Sequence, residues 1–197
     1  LKLDKVCRII SDKHNFSYDL NTILSRLIYM RILNPRSKKG TFECAQDLLE
    51  AHEVESQHIY RALDVLAEES NTIEEMVYQN SLEIVERNQQ VLYYDCTNFY
   101  FEIEEAEGLK QYGMSKENRP NPIVQMGLFM DGNGLPLSFG IHSGNQNEQP
   151  TLKPLEKRII RDFNLSQFIV CTDAGLSSHD NRLYNSFGNR GFITTQS

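Results

Sequence analysis

The tetrapeptide DGNG at 131–134 separates two apolar runs, PNPIVQMGLFM at 120–130 and LPLSFGIHSG at 135–144. Asp-Gly and Asn-Gly pairs favour the tight turns of β-hairpins because these residues tolerate positive φ angles. The runs on either side contain the β-branched and aromatic residues that are typical of strands. This part of the chain therefore predicts a β-hairpin, and hence a sheet with antiparallel strands.

The segments around the hairpin predict the other elements of the same sheet. Before it, the run VLYYDCTNFYFE at 91–102 predicts a strand. After it, 151–163 has helical spacing, 167–175 is a short apolar strand, 176–190 predicts a helix and 191–197 begins a fifth strand. Three antiparallel strands, a helix, a strand, a helix and a strand are the order expected of a ribonuclease H-like α/β mixed sheet.

The residues before the sheet predict a mainly helical region. Apolar side chains recur at helical spacing in three segments, and Thr72-x-x-Glu75 is a capping-box pattern. The predicted helices cover 18–33, 41–52, 56–70 and 72–88. Ser56 is available to cap the third of them.

The first predicted helix is followed by a basic turn, NPRSKKG at 34–40. Short helices with a basic turn are compatible with DNA binding, and the alternative is a helical packing or dimerisation domain. We therefore predict two domains, a helical N-terminal region at 1–88 and a partial ribonuclease H-like catalytic domain at 89–197.

The net charge of −7 argues against a chain that coats nucleic acid through its overall field. Only residues 1–50 are basic, with nine Lys and Arg against six Asp and Glu. No membrane span of about 20 apolar residues and no signal peptide is recognisable, which predicts a cytoplasmic protein. The four cysteines have no metal-ligand spacing and are interpreted as buried thiols. Because the chain starts at Leu1 and stops within a predicted strand, we expect a fragment of a longer protein.

Two aspartates occupy unusual positions in the predicted sheet. Asp95 lies in the middle of an aromatic strand, where a carboxylate is disfavoured, and Asp173 lies at the carboxyl end of the fourth strand, where ligands bind in open α/β sheets. If the first and fourth strands are neighbours, the two carboxylates converge and repel each other unless a divalent cation lies between them. The alternative is that each aspartate caps a turn or a helix.

Four blocks of the sequence follow one another in a familiar order. They are YYDCTNFYFE at 93–102, YGMSKENRPNPIVQMGLFMDGNGLPLSFGIHSGNQNEQPTLKPLEK at 112–157, IVCTDAGLSS at 169–178 and RGFITTQS at 190–197. Together they resemble the successive blocks of bacterial insertion-sequence DDE transposases, with the family named for insertion sequence four as the closest group. RLIYMRILNPRSK at 26–38 also resembles the amino-terminal region of that family.

The resemblance implies a ribonuclease H-like core in which three acidic residues hold two Mg²⁺ or Mn²⁺ ions. Asp95 matches the first acidic residue and Asp173 the second. The third, a glutamate within the pattern Y-x2-R-x3-E-x6-K, normally follows the fifth strand, and residues 1–197 do not contain that pattern. The resemblance therefore implies a fragment that lacks full catalysis by itself.

The implied reaction is hydrolysis of a phosphodiester at a transposon end, followed by strand transfer by the freed 3′-OH. The implied partners are the terminal inverted repeats of the transposon, the target DNA and a second copy of the chain in a synaptic complex.

Several further residues are weaker candidates. Lys116 and Arg119 lie in the loop after the first strand, where basic side chains can meet phosphates. Asn145 and Glu148 match a recurrent polar loop of the family and are candidates to border the site, with Asn145 as a DNA contact.

Other notable side chains are assigned structural roles. His142 and His179 receive no function. The aromatic residues of the first strand, Tyr93, Tyr94, Phe99, Tyr100 and Phe101, are expected in the core.

Two other functions remain open from the sequence. The chain could act as a truncated DNA-binding or dimerising regulator of transposition. A haloacid-dehalogenase-type phosphohydrolase also places an aspartate after its first strand, but that class usually requires D-x-D, and position 97 is Thr.

Overall fold

The computed structural model describes residues 1–47 and 54–195. The chain divides into two compact units, Leu1–Ile84 and Val85–Ser197, which are described separately below.

The first unit is helical, as the sequence predicts. Its described helices are α1 Leu3–Lys13, α2 Leu20–Leu33, α3 Lys38–Ala45, α4 Ser56–Glu68 and α5 Ser70–Ser81. Apolar side chains from α1, α2 and α4 form its core, including Val6, Ile10, Leu20, Ile23 and Ile59. Of the predicted helix at 41–52, residues 48–52 lie outside the described residues.

The helices of the first unit begin where side chains accept the free backbone N–H groups of a first turn. Asp19 caps α2 by accepting from Asn21 N at 3.0 Å. Ser37 caps α3 by accepting from Gly40 N at 3.2 Å, so α3 begins three residues before the predicted start. Lys38 and Lys39 therefore belong to a helix and not to the predicted basic turn.

Two predicted caps in this unit are wrong. Ser56 is the first residue of α4, and Glu55 precedes it as the N-cap without a side-chain bond. Thr72 does not open a helix, because α5 begins at Ser70 and the Thr72 hydroxyl donates to Glu69 Oε2 at 2.8 Å. The helix also ends at Ser81 rather than at position 88.

The second unit contains a five-stranded mixed sheet in the order β3-β2-β1-β4-β5. Its strands are β1 Val91–Tyr100, β2 Ile123–Asp131, β3 Pro136–Ser143, β4 Phe168–Thr172 and β5 Arg190–Thr194. The pairs β1–β2 and β2–β3 are antiparallel, and β1–β4 and β4–β5 are parallel. The predicted ribonuclease H-like α/β sheet is confirmed, with the first and fourth strands as neighbours.

Helix α6, Leu152–Asp162, lies between β3 and β4 in the chain, and α7, His179–Tyr184, lies between β4 and β5. α6 contacts β3 and α7 and buries Leu152, Leu155 and Ile159. α7 is shorter than the predicted helix at 176–190, because Ala174–Leu176 forms a separate 3₁₀ turn. The pattern Ser177-x-x-Asp180 in the sequence predicts Ser177 as the N-cap of this helix, but the N-cap is Ser178, which accepts from Asn181 N at 3.1 Å.

The predicted hairpin is confirmed, and a buried ion pair holds its turn. Asp131 Oδ1 accepts from Asn133 N and Leu135 N, both at 2.9 Å. Arg87 Nε donates to Asp131 Oδ2 at 2.6 Å, and both side chains are buried. Gly134 has a φ of 78°, which glycine adopts without strain.

Strand β1 is buried on one face only. Leu92, Tyr94, Cys96 and Asn98 are buried, whereas Tyr93 and Phe99 are 45% and 52% exposed. The expectation that all the aromatic residues are core is therefore right for Tyr94 and wrong for Tyr93, Phe99 and Phe101. Side chains alternate along a strand, and only one face of β1 is covered.

All four cysteines lie in the described ranges and are free thiols, with Cys7 and Cys96 buried and Cys44 and Cys171 half-buried. Among the described helices, none has the length and apolar content needed to cross a membrane.

Candidate active site

Asp95 lies in β1, and Asp173 directly follows β4, the parallel neighbour of β1. Tyr93 of β1 pairs with Cys171 of β4 in the last step of the ladder. The same register continued by two residues would place Asp95 opposite Asp173. Because neighbouring strands lie about 4.8 Å apart, this register supports the prediction that the two carboxylates lie near each other.

The Asp95 carboxylate is accessible despite its position in the middle of a strand. Its side chain is 68% exposed because it lies on the open face of β1. Oδ1 accepts a hydrogen bond from Cys96 N at 2.8 Å. The carboxylate therefore avoids the desolvation that a buried strand would impose.

Asp173 directly follows β4 and caps the 3₁₀ turn Ala174–Leu176. Its Oδ1 accepts from Leu176 N at 3.1 Å, and its backbone O accepts from Thr194 Oγ1 at 3.1 Å. A Cβ atom at Gly175 would lie 3.5 Å from both carboxylate oxygens. The capping alternative is thus realised for Asp173, and these bonds fix the carboxylate at the edge of the sheet.

Lys116 brings a positive charge to the same edge. Its Nζ lies 3.8 Å from Asp95 Oδ1 and 3.9 Å from Glu148 Oε1. It also donates to the backbone O of Cys96. The ammonium group is therefore the counter-charge of the site, which sequence reasoning had considered only as a DNA contact.

Glu148 adds a third carboxylate to the neighbourhood. Burial raises the pKa of Glu148, the positive charge of Lys116 acts against this shift, and the negative charges of Asp95 and Asp173 add to it. The Glu148 carboxylate therefore experiences the fields of both aspartates.

The buried Asn98 holds the loop that carries Lys116. Its Nδ2 donates to Met114 O at 3.3 Å, and its Oδ1 accepts from Lys116 N at 3.4 Å. Sequence reasoning missed Asn98. The sequence gives no clear signal for it, because aromatic residues occur on both faces of β1 and only the structure shows that Asn98 lies on the buried one.

The remaining candidates lie apart from the carboxylates. Arg119 stacks on Tyr100, with 4.7 Å from the guanidinium carbon to the ring centroid. The Asn145 side chain accepts from Ser143 Oγ at 2.7 Å. Within residues 54–195, no hydrogen bond or ion pair joins Arg119 or Asn145 to Asp95.

The two histidines have different environments. Burial lowers the pKa of His142. His179 is exposed, and its Nδ1 lies 3.9 Å from Asp180 Oδ1. The contact of His179 does not involve Asp95 or Asp173.

The donor set suits a hard divalent cation. Carboxylate oxygens are the ligands that Mg²⁺ prefers, and this ion is usually held by one or two carboxylates while it keeps several waters. Within the described ranges, no group of three or more His, Cys, Asp or Glu side chains is placed to hold one ion. The carboxylates of Asp95 and Asp173 have the chemistry that such a cation requires, and their role as its ligands stays a prediction.

No family model and no curated protein matches this sequence. Among solved structures, the Mos1 transposase paired-end complex with left transposon end is 11% identical, with a TM-score of 0.38, over 91% of this chain and 60% of that one. The piggyBac transposase synaptic complex with hairpin DNA is 12% identical, with a TM-score of 0.44, over 95% of this chain and 45% of that one.

A Mos1 mariner paired-end complex with Mn is 9% identical, with a TM-score of 0.35. The present chain thus spans about half to three-fifths of the length of these chains. At such scores the fold assignment depends on the strand order described above, and membership of the bacterial insertion-sequence family stays a prediction.

Proposed function

We propose that the chain is the amino-terminal region and partial catalytic domain of a DDE transposase related to the family of insertion sequence four. The full-length protein would cleave transposon ends and join the 3′-OH to target DNA by metal-dependent phosphoryl transfer. The observation that carries this proposal is the parallel pairing of β1 with β4, whose register, continued by two residues, would bring Asp173 opposite Asp95.

In this proposal Asp95 and Asp173 hold Mg²⁺ or Mn²⁺. The bound cation would activate the attacking hydroxyl and stabilise the charge that develops on the phosphate. Asp95 presents its carboxylate to solvent, and the hydrogen bonds of Asp173 keep the second carboxylate in place. Lys116 supplies an ammonium group beside Asp95, which would be available to contact a phosphate of a DNA strand.

We propose DNA as the partner, on the basis of the ordered sequence blocks, and a homodimer as the form that pairs two transposon ends. The third acidic ligand is expected outside residues 1–197, in the Y-x2-R-x3-E-x6-K pattern. We keep cytoplasmic localisation, and contacts of Arg119 and Asn145 with DNA, as predictions of the same proposal.

The test uses the protein encoded by the complete reading frame. Asp95→Asn and Asp173→Asn should each reduce Mg²⁺-dependent cleavage of terminal-repeat DNA by more than about a hundredfold. Each variant removes a ligand of the cation that would stabilise the charge of the transition state. Binding of the repeats, measured by gel shift, should remain. Asp180→Asn is the matched control, because it removes the same charge from an exposed position in α7.

Three outcomes would contradict the proposal. Cleavage that survives in Asp95→Asn would remove this residue from the metal site. Repeat binding without cleavage by the wild type would favour a regulator. Turnover of a small phosphate ester without DNA would favour the phosphohydrolase class.

A further inference from the structure

The ammonium group of Lys116 lies near two carboxylates, and both are too far away for a hydrogen bond. Its distances are 3.8 Å to Asp95 Oδ1 and 3.9 Å to Glu148 Oε1. A closed ammonium–carboxylate hydrogen bond would bring nitrogen and oxygen to about 2.8 Å. A small rotation of the lysine side chain can therefore complete the bond to either carboxylate.

The backbone on which Lys116 moves is fixed. Asn98 bonds the loop at Met114 O and at Lys116 N. A Cβ atom at Gly113 would lie 1.8 Å from Gly144 O, so this loop packs directly against the turn that follows β3. The segment before Lys116 thus contacts the segment before Glu148 through the backbones of Gly113 and Gly144.

Glu148 is tied to the strand that carries Asp95. The Thr151 hydroxyl lies 2.5 Å from Glu148 O, to which it donates, and 2.6 Å from the Tyr94 hydroxyl. Tyr94 precedes Asp95 in β1. The backbones that carry both carboxylates are therefore held in place, and the Lys116 ammonium, which also donates to the backbone O of Cys96, lies within a short movement of either carboxylate.

A divalent cation on Asp95 would lie close to this ammonium group. Like charges a few ångströms apart repel, and the repulsion is stronger against a doubly charged ion. Cation binding at Asp95 therefore favours a lysine position nearer to Glu148. Without the cation, Lys116 reduces the mutual repulsion of the carboxylates.

We propose that Lys116 and a divalent cation are alternative counter-charges of Asp95, and that Glu148 receives Lys116 when the cation binds. This inference rests on the proposed function, because it takes Asp95 as a ligand of the cation. Glu148 is then a positioning residue, which affects the cation site through Lys116.

The test measures Mn²⁺ binding to the 197-residue chain from the electron paramagnetic resonance signal of free Mn²⁺. Lys116→Met should bind Mn²⁺ several-fold more tightly than the wild type, up to about tenfold, because a competing positive charge is removed. Lys110→Met is the matched control. It makes the same charge change in the same β1–β2 connection, but Lys110 pairs with Glu107, and its affinity should stay within about twofold of the wild type.

A double-mutant cycle tests the role of Glu148. Glu148→Gln should weaken Mn²⁺ binding several-fold when Lys116 is present, because the lysine then has only Asp95 as a partner. In the Lys116→Met background, Glu148→Gln should change the logarithm of the Mn²⁺ dissociation constant by half as much or less. An undiminished effect would assign Glu148 to the cation directly and overturn its role through Lys116.

The outcomes separate this inference from the proposed function. Equal Mn²⁺ affinity of wild type and Asp95→Asn would overturn both. Loss of binding in Asp95→Asn, together with equal affinity of Lys116→Met, Lys110→Met and wild type, would overturn the exchange and leave the proposed function intact. Circular dichroism spectra of each variant show whether the fold is retained.

Discussion

The buried carboxyl group of Glu156 should make the second unit less stable as the pH rises through neutrality. Glu156 lies on α6 and is fully buried. Its Oε2 accepts from Asn185 Nδ2 at 3.1 Å, and its Oε1 lies 3.8 Å from Arg190 Nε. Burial raises the pKa of Glu156 to about 7, although Asn185 and Arg190 act in the opposite direction.

The sign of the effect follows from this shift. The folded chain holds the Glu156 proton more tightly than the unfolded chain, where the pKa is about 4.5. The stabilisation is fully present below pH 4.5 and is lost as the pH rises through 7. One pKa unit corresponds to about 1.4 kcal/mol, so the free energy of unfolding should fall by about 2 to 3 kcal/mol between pH 5 and pH 8.

Glu156→Gln removes this dependence while it keeps the shape of the side chain. The amide oxygen can still accept from Asn185, and the group no longer ionises. The variant should match the wild type near pH 5 within about 1 kcal/mol and exceed it by about 2 to 3 kcal/mol at pH 8. Urea titrations followed by circular dichroism at both pH values measure the difference.

Comparing the pH dependence of the free energy of unfolding of Glu156→Gln with that of the wild type gives the contribution of this one carboxyl group, because all other titrating groups are present in both. Glu102→Gln, at an exposed position after β1, is the matched control and should follow the wild type at both pH values. Stability curves of Glu156→Gln and wild type that run parallel from pH 5 to pH 8 would refute the reasoning.

Two further predictions concern buried polar contacts of the second unit. Arg87→Met leaves the Asp131 carboxylate buried without its ion-pair partner and should lower the free energy of unfolding by about 3 to 5 kcal/mol, measured by urea titration; a loss under 1 kcal/mol would contradict the structural role of the pair. Thr151→Val removes the oxygen partner of the buried Tyr94 hydroxyl, which keeps only a contact with Cys96 Sγ at 3.5 Å, and should cost about 1 to 3 kcal/mol, while Thr151→Ser should recover most of it; equal stabilities of the two variants would count against the bond.

The order of the sheet was predictable because its signals are local. The DGNG turn specifies a hairpin, and the alternation of strand and helix patterns specifies a parallel part. The adjacency of β1 and β4, on which the prediction that Asp95 lies near Asp173 depends, was expected only from the ribonuclease H-like order and not from a local signal. The exposed face of β1 was not predictable, because aromatic residues occupy both faces of 91–102 and no apolar-polar alternation distinguishes them.

The exact starts of helices depend on competition between neighbouring capping residues. The contacts of Lys116 depend on residues that are distant in the sequence. Ser177 and Ser178 both offer a capping hydroxyl, and the 3₁₀ turn capped by Asp173 decides in favour of Ser178. Lys116 and Glu148 are 32 positions apart in the sequence, and a backbone contact between Gly113 and Gly144 brings their segments together. Periodicity carries no information about such a contact.

The side chains of strand β1 alternate between a buried face, which stabilises the site, and an exposed face, which carries Asp95. Tyr94 and Asn98 lie on the covered face, where they bond Thr151 and the loop of Lys116. Asp95 lies between them on the open face, where its carboxylate reaches solvent. Because side chains alternate with a period of two, a shift of one residue in the pairing of β1 would exchange the two sets. The accessible carboxylate and its fixed surroundings therefore depend on a single register, and the buried neighbours of Asp95 are as necessary to the site as Asp95 itself.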